Sequence, residues 1–500
     1  MFRFTNALFA VILGAGAAIA QGTPALTTIG NLGLRQVTIG VPPRYAATVK
    51  TPLKVNIPEG FKADLFYMGM LSKPRFMAFG PDSVLFVANQ GSNLVLALPD
   101  RDHDGVADTA IVAATGLGGV HDVKFFRGAM YATTSSQVIK LTDADGDLVY
   151  ETRSVFIDSI AATATNPTGG HSTRTVLFDS AGGNMFLSIG SSCNACRDAG
   201  RGVIERYDLA GMNRRPYATG VRNAVGLALH PVTGRLWANN NGNDNQGDNV
   251  PPEWIDMVRD GGFYGWPFAY GYQTYNDFTV SGYTPILPLT SADSAQVSSM
   301  IAPAALIQAH SAPLGLEFAT PAFPQRFRDG MFSALHGSWN RSVPTGYKVV
   351  FLSLSGPHDT LVDSVSNFLT GFTADSVAKS DWARPAGILV DLRGNLFVTS
   401  DADSQFVLRI SPETSVSVAD RRHIPSLRFD RVGARTFRIA GAAPGAFSMD
   451  VRDLSGRLVA SLQDASDRLW KAPRELSGAY WVSVTGKDGA KSTARIELVD

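Results

Sequence analysis

The sequence predicts an all-β protein, and three observations carry that expectation. Short hydrophobic runs separated by tight turns recur along most of the chain, as strands joined by hairpins do. These runs group into a unit that begins near Met77, Val123, Val176, Leu227, Phe327 and Ile388. Most intervals are about 50 residues, the length of a four-stranded propeller blade. After Ile410 the repeat stops and a different alternating β pattern begins. The expected architecture is a six-bladed β-propeller over 51–412, followed by a small immunoglobulin-like β-sandwich over 427–500.

Taken in order, the chain opens on Arg3, an apolar run from Ala7 to Ile19 and the small residues Ala18-Ile19-Ala20. This reads as an export signal over 1–20. A lone membrane anchor would need about 20 apolar residues, more than this run supplies, and no later stretch provides a transmembrane segment. The mature protein is expected to be soluble and exported, whether periplasmic, secreted or at the cell surface. Residues 21–50, rich in Thr, Gly and Pro, read as a leader to the first strand. Six repeat units follow. The long interval between Leu227 and Phe327 carries an aromatic loop, Phe263 to Tyr283, and a polar loop, Ser291 to Ser299, both read as insertions on one face. Two acidic runs, starting at Asp100 and Asp143, read either as aspartate-ringed calcium loops or as acidic turns. The first has Ile111 rather than Glu at its twelfth position and is not a complete EF-hand loop. Residues 413–426 form a polar linker.

Lys plus Arg and Asp plus Glu number 44 each, so no basic field draws nucleic acid to the chain. The only cysteines are Cys193 and Cys196. In an oxidising compartment a small disulfide is the default reading. A redox pair lacks a thioredoxin-like context, and a zinc site lacks two further ligands.

The richest stretch is 218–267. Arg222-Asn223 sets a fixed cation next to an amide, just before a hairpin. After the hairpin, Asn239 to Asp244 offers the carbonyl, amide and carboxylate oxygens that a hard cation takes, in a composition that also suits a polar surface loop. With Val225-Gly226-Leu227, His230-Pro231, Gly247-Asp248, Pro251-Pro252-Glu253 and Tyr264-Gly265-Trp266-Pro267, this stretch resembles the soluble quinoprotein sugar dehydrogenases, in particular their glucose/sorbosone dehydrogenase-like branch. The resemblance continues at Gly170-His171-Ser172-Thr173-Arg174, Ile189 to Cys196, His310 to Leu316, His336 to Arg341, Gly346 to Val350 and Arg384 to Gly387. It spans about residues 55 to 411.

The resemblance implies oxidation of a sugar or sugar-derived alcohol or aldehyde, with pyrroloquinoline quinone and calcium as cofactors. It makes His171 the general base and sets Arg222 and Asn223 against the quinone oxygens. Calcium would be held by the carbonyls of Gly242 and Asn243 with help from Asp244 or Asp248. Arg384 would meet a cofactor carboxylate, with Arg341 or Lys348 as a second cation and Ser311 as a hydroxyl contact. Two departures stand out: Ser191-Ser192 replaces the acid that orients the histidine in glucose-oxidising relatives, and Ala224 replaces a common Pro. Two other classes compete, a calcium-dependent lactonase-type hydrolase and a non-enzymatic carbohydrate-binding propeller. The residues name neither the sugar nor the electron acceptor. In the C-terminal region, Asp453 to Val459 and Leu476 to Tyr480 resemble the immunoglobulin-like, hook-cap-related sorting domains of exported bacterial enzymes, which implies export machinery or the cell surface as a partner.

Overall fold

Strands form where the hydrophobic runs lie, and most of the chain folds into six sheets, each built on four antiparallel strands that in five of them follow in chain order. The structure, a computed structural model, describes residues 26–161, 169–356, 361–375 and 380–413. Toward the C terminus it describes 428–433, 435–440, 447–453, 458–465, 469–473, 478–486 and 491–498. The segment read as an export signal, nearly all of the segment read as a linker over 413–426 and parts of both C-terminal motifs lie outside the described residues. Among the described residues no helix is long and apolar enough to cross a membrane.

Sheet 1 comprises Pro74–Phe79, Leu85–Asn89, Leu94–Leu98 and Ile111–Ala114. Sheet 2 comprises Asp122–Phe126, Ala129–Thr133, Val138–Thr142 and Thr152–Ile157, and sheet 3 Arg174–Asp179, Asn184–Ile189, Val203–Asp208 and Arg215–Thr219. Sheet 4 is built from Leu227–Leu229, Leu236–Asn240, Glu253–Met257 and Ala305–Ile307. Sheet 5 has Pro313–Phe318, Gly330–Leu335, Lys348–Leu354 and Val362–Leu369. Sheet 6 takes Ala383–Val390, Leu396–Asp403 and Phe406–Pro412 from the end of the repeats, and its fourth strand, Phe61–Tyr67, from their beginning.

The hydrophobic runs are nearly unbroken because each sheet is covered on both faces. Leu85–Asn89 is buried at all of its positions, as expected for a strand between two layers. Separate cores fill the gaps between neighbours: Phe86, Val95 and Met130 between sheets 1 and 2, and Met185, Leu187 and Tyr131 between sheets 2 and 3. Trp237, Ile255, Met331 and Val350 pack between sheets 4 and 5. The first strands touch in cyclic order, sheet 6 returning to sheet 1. Turn chemistry is local: Arg127 and Gly128 join two strands of sheet 2 with φ of 48° and 73°, the left-handed pair of a tight hairpin.

The segment expected as a leader adds edge strands. Ile29–Asn31 pairs in parallel with residues 365–367 of sheet 5, and Leu34–Thr38 pairs with Lys54–Pro58. The region read as the polar loop Ser291 to Ser299 contains a helix, Ser291–Ser298, opened by a capping box between Thr290 and Asp293. That Thr-x-x-Asp start was the available signal; the helix carries too weak an apolar stripe for periodicity to reveal it. Beyond the linker, a three-stranded and a four-stranded antiparallel sheet share a core of Phe437, Met449, Val451, Trp470, Tyr480, Val482 and Val484. The alternation in 447–451 and 479–484 is therefore the burial of one face.

Candidate active site

In every sheet the first strand runs antiparallel to the second, so the start of one lies beside the end of the other. Pro74 pairs with Asn89, Asp122 with Thr133, Arg174 with Ile189, Leu227 with Ala238, Pro313 with Leu335 and Pro385 with Ser400. Residues at or just before the first strands consequently share one end of the molecule. Each sheet supplies an imidazole or guanidinium there: Arg75, His121, His171, Arg222, His310 and Arg384. Ser191, Asp244, His336 and Asp401 lie at or beyond the ends of the second strands, on the same side.

His171 is set by backbone that only glycine permits. Gly170 has φ of +63°, and a Cβ there would lie 2.4 Å from the Ser192 carbonyl carbon. On the other side, a Cβ on Gly190 would lie 2.3 Å from Asn223 Oδ1 and 2.7 Å from His171 Cβ, so this glycine lets Asn223 and His171 approach. His171 Nδ1 is 2.9 Å from Ser191 O and 3.1 Å from Ser191 Oγ, while Ser191 Oγ donates to Cys193 O at 2.8 Å. A carbonyl can only accept, so Nδ1 carries the proton and Nε2 keeps its lone pair. Ser191 thus supplies the orienting contact for which the sequence offered no acid. Burial, reinforced by Arg222, lowers the imidazole pKa to about 3, so His171 is neutral throughout the physiological range.

Arg222 is buried against an oxygen-lined pocket. Its Nε donates to Asn194 O at 3.0 Å, Nη1 to Gly242 O at 2.5 Å, and Nη2 to Asn194 Oδ1 at 3.1 Å and Asp244 Oδ2 at 3.0 Å. Burial lowers its pKa while Asp244 offsets part of that. Asp244 Oδ1 also accepts from Asn340 Nδ2 at 2.9 Å and lies 3.6 Å from His310 Nδ1. Burial raises the Asp244 pKa, but His310 and Arg222 more than reverse it. Asn223 is fixed through its backbone, its N–H donating to Asn240 Oδ1 at 2.9 Å.

The second half of the site is a charged chain across sheets 1, 2, 5 and 6. Asp401 pairs with Arg75 through Oδ2 and with His336 Nε2 through Oδ1 at 2.7 Å, while Arg75 Nε donates to His121 Nδ1 at 3.3 Å. Arg384 donates to His336 O at 3.3 Å and Gly337 O at 2.5 Å, and lies over the Tyr347 ring at 5.1 Å. Lys348 has its pKa lowered by burial alone, and its side chain makes no hydrogen bond or ion pair among the described residues.

The other expected residues sit differently. Ser311 donates its hydroxyl to Gln308 O at 2.7 Å. Arg341 donates to Asp248 O, and the Asp248 carboxylate accepts from Ser342 N at 3.0 Å. Asn243 donates to Asn276 Oδ1 at 3.0 Å. Among the oxygens expected to bind calcium, the Asn243 carbonyl accepts no hydrogen bond among the described residues, whereas the others are engaged. Gly242 O and Asp244 already receive the Arg222 guanidinium and Asp248 turns to another loop, so the negative charge here is met by arginine. The Lys348 ammonium has no counter-ion among the described residues.

Sequence reasoning missed Arg75, Asp401 and Asn194. Arg75 had an available signal: Arg75 and Arg384 occupy matching places at the start of their strands, but the first repeat was counted only from Met77. A cavity of about 490 Å³, lined by Asp179, Asn184, Arg206, Tyr217 and Asp260, opens at the opposite end of sheets 3 and 4, away from these groups.

Radially packed sheets with histidines and arginines gathered at one end define a β-propeller-type protein with its candidate site at the strand entries. The chain belongs to the TrAA12-like family, whose family model matches residues 55–409, and so to the pyrroloquinoline quinone-dependent sugar dehydrogenases in the broad sense. It is 26% identical over 355 residues to an uncharacterized protein of Borreliella burgdorferi, covering 69% of this chain and 88% of that protein. It is 24% identical over 406 residues to a pyrroloquinoline quinone-dependent sugar dehydrogenase of Hypocrea jecorina, covering 71% and 89%. The holo form of the pyranose dehydrogenase PQQ domain from Coprinopsis cinerea superimposes with a TM-score of 0.59 at 21% identity, covering 75% of this chain and all of that one.

Proposed function

We propose that this chain is an exported oxidoreductase that oxidises a sugar or a sugar-derived alcohol or aldehyde with pyrroloquinoline quinone as cofactor. The observation that carries this reading is His171, held by Ser191 with a proton on Nδ1 and with Nε2 making no hydrogen bond among the described residues. A neutral imidazole in that state accepts a hydroxyl proton at Nε2. Arg222 keeps its charge throughout and stabilises negative charge that develops nearby, and Asn223 faces His171 across Gly190. Lys348 and Arg384 would hold the quinone's carboxylates. When bound, the quinone supplies the acceptor for the substrate's hydride. Family membership and the named relatives support the same class.

The test is dye reduction by purified quinone-free protein given a panel of aldoses and sugar-derived aldehydes, with and without quinone, and with and without calcium. Quinone-dependent reduction with at least one sugar is expected. Lactone hydrolysis that needs calcium but no quinone, or sugar binding with no reduction under any condition, would overturn the reading. Because Arg222 already occupies the oxygens of the Gly242 loop, any calcium requirement is expected only with quinone present.

We further read the six sheets as six propeller blades and the C-terminal pair of sheets as an immunoglobulin-like sorting domain. Sheet 6 ends through pairing of Pro412 with Phe61, and Glu413 N–H donates to Gly60 O at 2.6 Å. A chain ending after Glu413 should therefore stay soluble, melt cooperatively and bind quinone as the full chain does. Insoluble protein, or loss of quinone binding, would mean that the C-terminal sheets complete the propeller or line the site.

A further inference from the structure

We propose that Asn194, presented on the four-residue loop closed by the Cys193–Cys196 disulfide, is the positioning residue for Arg222, so that the state of this disulfide governs the shape of the site. The inference rests on the reading of Arg222 as a cofactor-facing cation.

The two sulfurs are bonded and the Cα atoms lie 6.2 Å apart. Inside this loop Asn194 makes six hydrogen bonds to four residues distant in sequence. Its backbone oxygen accepts from Arg222 Nε at 3.0 Å and from Trp266 Nε1 at 3.0 Å. Its Oδ1 accepts from Arg222 Nη2 at 3.1 Å and from the Asp244 N–H at 2.7 Å. Its Nδ2 donates to Asp244 O at 3.0 Å and to Tyr283 Oη at 3.3 Å. Two oxygens of one residue thus grip two nitrogens of a planar guanidinium, which fixes the orientation of Arg222 as well as its position. Without the Asn194 side chain, Arg222 keeps the backbone oxygen at position 194, Gly242 O and Asp244, but loses the second oxygen that fixes its orientation, and Nη2 is free to turn onto the carboxylate.

The loop is anchored at both ends. Before it, Ser191 Oγ donates to Cys193 O at 2.8 Å while also facing His171 Nδ1. After it, Arg197 binds Asp293 at 2.7 Å and Ile286 O at 3.0 Å. The disulfide removes the freedom that a four-residue loop would otherwise have to lose. Reduction places two electrons and two protons on the sulfurs and restores that freedom between two fixed ends.

The experiment follows amide exchange across residues 241–249 in quinone-free protein, because the Asp244 N–H is donated to Asn194. Quinone affinity is then titrated in the same samples. Five samples join the native protein: native protein reduced with dithiothreitol, which is itself oxidised to its cyclic disulfide, the Cys193→Ser/Cys196→Ser variant, Asn194→Ala, Asn194→Asp, and the triple variant that combines Asn194→Ala with the two serines. Asn194→Ala, the double serine variant and reduced native protein should each exchange faster at Asp244 and bind quinone roughly 10- to 100-fold more weakly, the scale for hydrogen bonds to a charged group. Adding Asn194→Ala to the double serine variant should cost little more, since both act through one contact. Asn194→Asp keeps the oxygen used by Arg222 and should stay within a few-fold of native affinity. Native-like Asp244 exchange in Asn194→Ala, or full additivity of the two changes, overturns the proposal. If Asn194→Ala does not fold, reduced native protein and Asn194→Asp decide it. If native protein binds no quinone, the proposed function fails, and the exchange measurements still decide the role of Asn194.

Discussion

Replacing His171 with Gln should lower turnover by a factor of about 100 to 10,000, the usual contribution of a general base, while quinone binding and the melting transition stay near those of the native protein. Glutamine roughly matches the imidazole in size and can still donate toward Ser191 O, so the hydrogen bond that places the side chain need not be lost. What it lacks is a ring-nitrogen lone pair that can accept the substrate's hydroxyl proton in the transition state. Near-native turnover with normal quinone affinity would remove His171 from the base position. The native pH profile offers an independent check. Burial lowers the His171 pKa to about 3, so the neutral base persists well below the ordinary imidazole value of about 6.5. The acid limb of kcat/KM should accordingly fall below pH 6. A limb centred near 6.5 would mean that the imidazole is solvated and charged in the free enzyme.

Asp401→Ala should produce the largest loss of stability, about 3 to 5 kcal/mol, the cost of leaving a buried ion without its partner. Arg75 and Asp401 are both largely buried, with side-chain exposures of 11% and 8%. The substitution strands the guanidinium and also removes the acceptor of His336 Nε2. Asp401→Asn keeps the shape and a hydrogen bond and should cost less. Burial alone would raise the Asp401 pKa, yet Arg75 and His336 hold it well below the usual carboxylate range. A carboxyl depressed in the folded state stabilises the protein above its unfolded value of about 3.9 and loses that contribution as pH falls through the lower folded value. The gap in chemical denaturation between native protein and Asp401→Ala should therefore be constant from pH 5 to 8 and close only in strong acid. A gap below about 1 kcal/mol at pH 7 would place the pair among those that contribute little.

Local chemistry was the legible part. Runs such as MAFGPDSVLFVANQ lie on strands because both faces of each sheet are covered, and a two-sided strand needs only hydrophobic residues and a turn to announce itself. The motifs at His171 and Arg222 could be located because they adjoin glycines and strand starts that are recognisable by themselves. The partners were not legible, since each comes from another sheet. Nothing near position 191 says that Ser191 will take up the orienting contact to His171, and nothing near Asp401 indicates Arg75, 326 residues away. Asp248 illustrates the converse. It stands in an oxygen-rich loop suited to a cation, yet its carboxylate caps the backbone at Ser342, a choice made by the neighbouring loop rather than by composition.

The strand Phe61–Tyr67 completes the sheet that ends at Pro412, with Pro412 opposite Phe61. This seam makes folding wait on synthesis. Contacts between residues about 350 positions apart in the chain carry a loop-closure cost of about 5 kcal/mol, and topologies dominated by such distant pairings fold slowly. Until residues 406–412 arrive, the hydrophobic strand near the N terminus presents an unpaired edge that can equally accept a strand from another copy. A truncation or a translational pause before that point would thus yield chains that join edge to edge, and co-expression of a peptide spanning 396–413 should return them to the elution volume of the full-length chain.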